Sequence, residues 1–313
     1  MEPKVLENAF LKATNIQLEV AKILGEPRDP RKPVSSLVSD ICNLDTAMPD
    51  EYVYYYDALV ETDKVYTLSS TGALTEEAVS PDVPVAFTFV NMSSPQYYVS
   101  IPDLANAKEN VLGRKVATIN RAMNAWEDYY IMTTAQASVQ AGNMFDLTSG
   151  STTFNYKNLT DMLDAVKDYG DNYVLAAGTL IDRDIVQWDW TDNKYQSIKA
   201  ALGDLNVSIR RVNKSVTVDG SSTSVLASTK AFLFATDTEM GKPMLFVRKR
   251  LDTIANLGGL ITEKGEMPER LIFTTPNPTN VGATKYLAYG ITGYEQVVMA
   301  CVNSYALSSF SRT

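Results

Sequence analysis

The stretch from about Ser100 to about Gln140 reads as one unbroken amphipathic helix, and it limits the possible folds more than anything else in the chain. Leu112, Val116, Ile119, Met123, Trp126 and Tyr130 recur at helical spacing. Lys108, Glu109, Arg114, Asn120, Arg121, Asn124 and Glu127 fall on the other side. Ser100 with Asp103 three residues on has the form of a capping pair, and Pro102 sits in the first turn, where a missing N–H costs little. About forty residues at 1.5 Å each span ~60 Å, against an average helix of about 11–12 residues. A single compact core does not need such a rod. It implies a scaffold to which other parts are attached, with Trp126 and Tyr130 packing on its buried face.

Composition narrows the chemistry. The 313 residues are 45% hydrophobic, enough for one large core or two modest ones. Histidine is absent, which removes Ser–His–Asp and Cys–His nucleophile systems and imidazole-bound zinc. Cys42 and Cys301 are the only cysteines, so thiolate metal cages are excluded and two reduced, buried thiols are expected. The apolar runs, such as Tyr173–Ala177 and Ala231–Ala235, are too short to span a bilayer, and the N-terminus lacks a signal-peptide pattern.

The net charge of −9 is unevenly placed. Residues 51–100 hold seven acids and one base, a balance of −6, whereas 201–250 hold eight bases and four acids, a balance of +4. Solvated faces explain this blandly. Alternatively, the acidic segment docks on a basic surface of a neighbouring copy. No strongly basic nucleic-acid footprint exists, so only weak, non-specific DNA contact is expected.

Along the chain, residues 1–24 show a helical pattern, and three prolines make 26–33 an extended strap leading to Leu37–Leu44. Residues 51–99 alternate as strands in a long β excursion, in which Pro81 and Pro84 favour an edge. Gly142–Thr153 reads as a polar linker. Asn158–Gly170 is a second amphipathic helix closed by Gly170. Strands follow at Tyr173–Ala177, Asn206–Val212, Ser215–Val218, Lys230–Ala235 and Pro243–Lys249, with a hairpin turn at Asp219-Gly220. Tyr195–Leu202 reads as a short helix. Pro268, Pro276 and Pro278 mark turns, before strand patterns at Thr284–Tyr289 and Tyr294–Tyr305. Helices and strands mix without βαβ alternation, so the class is α+β.

Few residues invite chemistry. Asp182 and Asp184 could be a carboxylate pair for metal or acid–base work, but acids at a helix start commonly cap it, and that reading is preferred. Trp188-Asp-Trp190 could stack a sugar or base, or pack at a core edge or subunit contact, which is preferred. Arg248-Lys-Arg250 reads as a solvated or ion-paired strand end, and Gly258-Gly259 as a flexible turn. Tyr52, Tyr54, Tyr55 and Tyr56 suit an interface, though paired strands would show the same cluster. No catalytic, cofactor or metal residue emerges.

The order of these parts resembles the major capsid proteins of tailed double-stranded-DNA phages, the Hong Kong 97-like fold. Val174-Leu-Ala-Ala-Gly-Thr-Leu-Ile-Asp-Arg-Asp184 is similar to the strand–loop–helix near the centre of that family's axial domain. Phe232-Leu-Phe-Ala-Thr-Asp-Thr-Glu239 is similar to the strand leading back from it. The resemblance implies an N-terminal arm at 1–48, an E-loop at 49–99, a spine helix of the peripheral domain at 100–141, an axial domain at 142–235, and a return to the peripheral domain at 236–313.

It further implies a non-enzymatic shell protein of the virion capsid, assembled in the host cytoplasm as hexamers and pentamers around DNA. A separate scaffolding protein, a portal and a decoration protein are the expected partners, with no cofactor and no membrane. No Lys–Asn cross-linking pair is identifiable. Expected inter-subunit contacts are Tyr52, Tyr54, Tyr56, Glu61, Asp63, Glu76, Glu77, Arg210, Arg211 and Arg248. The alternatives are an encapsulin-like compartment, which shares the fold but holds protein cargo, and a carboxylate-dependent enzyme supported only by Asp182 and Asp184.

Overall fold

The computed structural model describes residues 37–56, 85–95, 97–100, 111–147, 152–188, 198–212, 215–218, 220–238, 241–251, 270–281 and 284–312. The expected N-terminal helix and strap, Asp103 and Pro102, Trp190 and Gly258-Gly259 lie outside them. In chain order, the elements begin with a helical turn α1 (Val38–Ile41) and strands β1 (Cys42–Ala47), β2 (Val53–Tyr56), β3 (Val85–Thr88), β4 (Val90–Ser93) and β5 (Tyr97–Ser100). The long helix α2 (Val111–Ser138), β6 (Met144–Asp146), α3 (Tyr156–Val166), β7 (Tyr173–Ala177), α4 (Thr179–Val186) and α5 (Ile198–Asp204) follow. The remaining strands are β8 (Val207–Arg211), β9 (Ser215–Val218), β10 (Ser221–Ser224), β11 (Lys230–Ala235), β12 (Met244–Lys249), β13 (Arg270–Val281), β14 (Thr284–Cys301) and β15 (Leu307–Ser311).

Two sheets organise these elements. The first runs β1-β12-β14-β13, with β4 and β5 also on β14. The second runs β6-β15-β11-β7-β8. Strand β12 shows how the first sheet is buried on both faces. Met244 and Phe246 join Val297 and Met299 against Ile131, Met132 and Ala135 of α2. Leu245 and Val247, one residue out of phase, join Ala47, Val298 and Ala300 on the opposite face.

The second sheet is likewise covered twice. Val174, Ala176, Phe232, Phe234 and Leu307 face the core that includes α2. Tyr173, Leu175, Ala177, Leu233 and Phe310 face Leu159, Met162 and Val166 of α3 and Ile181 and Ile185 of α4. The long helix therefore packs on the first sheet and shares one core with residues of both.

Several sequence expectations need correcting. The helix described is 28 residues, ~42 Å long, and Ser100 ends a strand paired with Ala288. Gly142–Thr153 is not only a linker, because Met144–Asp146 pairs in parallel with Ser309–Ser311. Pro276 and Pro278 sit within β13, opposite Tyr289 and Leu287, and not at turns. An edge strand permits this, since residues two apart can both direct the position of their missing N–H away from the neighbouring strand. The last two strand patterns form one 18-residue strand ending at Cys301. The segment after it, Leu307–Ser311, joins the second sheet, so 236–313 does not return wholly to the first.

Gly170 follows α3 and a 3-10 turn with φ 168°, an extended conformation, so it does not close the helix in the left-handed manner. It is needed for space, because a Cβ there would strike the Asp237 carboxylate. Gly220, at φ 81°, does use the left-handed region in the two-residue turn that pairs Val218 with Ser221. The cysteines are free. Cys42 and Cys301 flank Met244 on adjacent strands, two strand spacings or roughly 10 Å apart, beyond disulfide reach. Burial pushes both thiols up, so both are poor nucleophiles.

Candidate assembly surfaces

The tyrosine cluster is built by a two-stranded hairpin. Strands β2 and β3 pair from Val53 with Thr88 to Tyr56 with Val85. Alternation turns Tyr54 and Tyr56, with Phe87 and Phe89, onto the Ala47, Leu245, Val247, Val298 and Ala300 face of the first sheet. Tyr55 points the other way and is 63% exposed, and Tyr52, just before the strand, is 83% exposed. Tyr54 donates its hydroxyl to Asp45 Oδ2. Burial and that bond to the Asp45 carboxylate push the phenol up. Tyr54 and Tyr56 thus anchor the hairpin within the subunit, and Tyr52 and Tyr55 present its outer surface. Glu61, Asp63, Glu76 and Glu77 lie outside the described residues.

Leu44, Met48 and Val85 are also exposed, Val85 on the same side of the hairpin as its cross-strand partner Tyr56. Glu51 to Tyr55 line an open groove of about 520 Å³. Lys249 lies beneath, its Nζ 4.8 Å from the Tyr52 ring centroid and 5.4 Å from that of Phe89. It is only 6% exposed, so it is not the solvated strand-end residue that the Arg248-Lys-Arg250 run suggested. The apolar stem is covered and the ammonium faces aromatic rings. A second exposed apolar group comprises Met144, Tyr169 and Tyr305, in which the two tyrosine rings stack at 5.9 Å.

The three arginines expected at contacts each have a partner in their own chain. Arg210 grips Asp40 with Nε to Oδ2 at 2.8 Å and Nη2 to Oδ1 at 3.1 Å. Arg211 Nε meets Asp182 Oδ1 at 2.9 Å. Arg248 Nη2 reaches Glu127 Oε1 at 2.7 Å, with its guanidinium 4.8 Å from the Phe246 ring centroid. Arg210 and Arg211 remain substantially exposed. Sequence reasoning assigned Glu127 to the helix's polar side, yet it is fully buried, as is Asp128, which accepts the Leu37 N–H at 2.8 Å.

Asp182 and Asp184 neither cap a helix nor converge. Gly178 occupies the N-cap of α4 without a side-chain bond. Asp182 turns to Arg211, while Asp184 accepts both the Phe154 N–H at 3.0 Å and Arg312 Nη1 at 2.8 Å. Trp188 packs at a core edge against Phe154 and Tyr156 and donates its indole N–H to Phe154 O at 2.8 Å. Among the described residues, no group of three or more His, Cys, Asp or Glu could hold a metal. Likewise, no helix among them is long and apolar enough to cross a membrane. What the chain offers is broad surface resting on a rigid frame.

No protein-family model matches this sequence, and no curated protein matches it. Solved structures do. The capsid of a native GTA particle superposes with a TM-score of 0.58 at 11% identity, covering 91% of this chain and 94% of that one. The Hong Kong 97-like capsid fold is the fold of this chain. The capsid of the cyanophage P-SCSP1u matches at 0.53 and 10% identity over 93% of each chain. A virus-like particle from Pyrococcus furiosus matches at 0.51 and 10% identity, over 93% of this chain and 96% of that one. The Hong Kong 97-like likeness thus runs nearly end to end in both directions and resides in architecture, with little shared sequence.

Proposed function

We propose that this chain is a major capsid protein of a tailed double-stranded-DNA phage: a structural, non-catalytic subunit that assembles as hexamers and pentamers into a closed icosahedral head around DNA. The observation that carries this is the near-complete coverage of capsid subunits in both directions. The chemistry is consistent with it. Among the described residues, Asp182 and Asp184 are paired within the subunit with Arg211 and Arg312, and both cysteines are free thiols.

In this reading, 1–48 is the N-terminal arm, 49–99 the E-loop with β2 and β3 at its base, 100–141 the spine, 142–235 with Leu307–Ser311 the axial domain, and the rest the peripheral domain. Tyr52 and Tyr55 form one inter-subunit surface, since exposed aromatic side chains are what interface cores use. Glu61, Asp63, Glu76 and Glu77 add acidic rim contacts. The exposed Arg210 and Arg211 serve as their basic counterparts while also bracing their own subunit. Tyr54, Tyr56 and Arg248 act from behind, fixing that surface in place.

A separate scaffolding protein, a portal and a decoration protein are the proposed partners, the virion capsid is the location, and the host cytoplasm is the place of assembly. Contact with packaged DNA is weak and non-specific, because the chain carries a net charge of −9. Expression with and without a candidate scaffolding protein, followed by nuclease treatment and extraction, tests the reading. Nuclease-protected DNA inside particles supports the viral assignment. Particles that hold a protein cargo and never DNA contradict it.

A further inference from the structure

The second sheet contains a strand whose contacts are all made by its own few residues. Strand β15 lies inside the sheet, antiparallel to β11 from Leu307 opposite Phe234 to Ser311 opposite Lys230. On its other side it runs parallel to β6 through Ser309, Phe310 and Ser311. Leu307 is fully buried in the core shared with the long helix. Phe310 points to the opposite core, edge-on to Phe154 at 4.8 Å. The strand is therefore pinned on both faces and both edges.

Polar contacts fix its register. Ser308 is fully buried and its hydroxyl donates to Met162 O at 3.2 Å. Asn143 Nδ2 donates to Leu307 O at 2.9 Å. Just past the strand, Arg312 donates its N–H to Thr229 O at 2.8 Å and its Nη1 to Asp184 Oδ1 and Oδ2 at 3.1 and 2.8 Å. The Asp184 side chain is 1% exposed. Without the arginine, that carboxylate would be a buried charge with only the Phe154 N–H named above to offset it. Each of these polar contacts is to a residue between Asn143 and Ala235. By contrast, the preceding strand β14 belongs to the other sheet, and the crossing segment is tied by Val302 and Asn303 N–H groups to Pro243 O.

We propose that the cleft between β6 and β11 is a peptide-binding site, occupied here by the chain's own β15, that accepts the same strand in trans. Its ligand class is an extended peptide with a large apolar residue at the first and fourth positions of the strand, a small hydroxyl residue at the second, and an arginine at the sixth. Strand addition supplies affinity through the two ladders, and the alternating pockets supply selectivity. Asp184 selects a cation at the sixth position, because its buried carboxylate takes both of its contacts to Arg312 from the single nitrogen Nη1. The site lies within one subunit and does not depend on shell formation.

The test uses the full chain with a protease-recognition sequence inserted after Val302, folded first and cleaved afterwards. The expected result is that the released 303–313 segment co-elutes with the body and exchanges with a fluorescent peptide of the same sequence. Phe310→Ala and Arg312→Ala peptides are expected to bind more weakly, the first by at least about tenfold. A parallel co-expression of residues 1–302 with the tagged peptide keeps the outcome decisive if the insertion prevents folding: soluble complex only with the native peptide supports the site. Loss of the segment on cleavage, equal binding of the native and Phe310→Ala peptides, or co-expressed protein that aggregates with the native peptide present would each overturn it.

Discussion

Arg248 on strand β12 donates to Glu127 of the long helix at 2.7 Å, closing an ion pair in which the glutamate is fully buried and the arginine about one-third exposed. The pair clamps the helix to the first sheet, and the two ends differ in what their removal leaves behind. Removing the arginine leaves a buried carboxylate, whereas neutralising the glutamate leaves a cation with access to water. Arg248→Met is therefore expected to cost about 3 kcal/mol and Glu127→Gln distinctly less. Urea denaturation of both variants checks the order, and equal losses would show that burial asymmetry does not govern the pair.

That pair also shows where sequence reading stops. Helical spacing places Glu127 opposite the apolar stripe, but spacing cannot reveal that β12 approaches that side with an arginine. Continuous apolar runs such as Tyr173–Ala177 and Lys230–Ala235 were legible, because a strand buried on both faces needs apolar residues at every position. The turn at Gly220 was legible through local chemistry alone. Membership of Leu307–Ser311 in the second sheet was not, since it is decided by neighbours more than seventy residues away. Asp182 and Asp184 misled for the same reason: their partners, Arg211 and Arg312, are remote in sequence.

Asp237 gives a pH dependence. Burial alone would raise its carboxyl, but hydrogen bonds from Asn172 N–H, the Asn172 side chain and Asp171 N–H hold it below the ordinary carboxylate range. A group with a lowered folded value stabilises the fold above its unfolded pKa, about 3.9, and that contribution is lost as pH falls through the folded value. Asp237→Asn should be less stable than the parent at pH 7, and the difference should shrink as pH falls through the lowered folded value. Denaturation at pH 7, 4 and 2.5 measures this, and a constant difference across that range would refute it.

The outward tyrosines should matter to association and not to folding. Tyr52→Ala with Tyr55→Ala removes two exposed rings, so thermal unfolding of the subunit is expected to change little. If these rings are interface anchors, the protein concentration needed for assembly rises about tenfold or more. Light scattering against concentration reads that threshold. Tyr54→Phe instead breaks the bond to Asp45 and should loosen the hairpin.

The hairpin also allows the E-loop to be tested without disturbing the first sheet. Strand β4 pairs with β14 and Met92 is buried, so a deletion must stop short of them. Replacing 57–84 with an Asn-Gly turn joins β2 to β3 directly. The expected product is a folded subunit, by circular dichroism and proteolysis, that fails to close shells. Normal particles from this variant would remove the loop from assembly.

Electron microscopy of the purified chain at assembly concentration, in the presence of a scaffolding partner where one is needed, addresses shell formation most directly. Closed icosahedral particles built from six-fold and five-fold rings are the predicted result. A population that remains monomeric under every assembly condition, with the Hong Kong 97-like fold intact, would contradict the assignment as a capsid subunit.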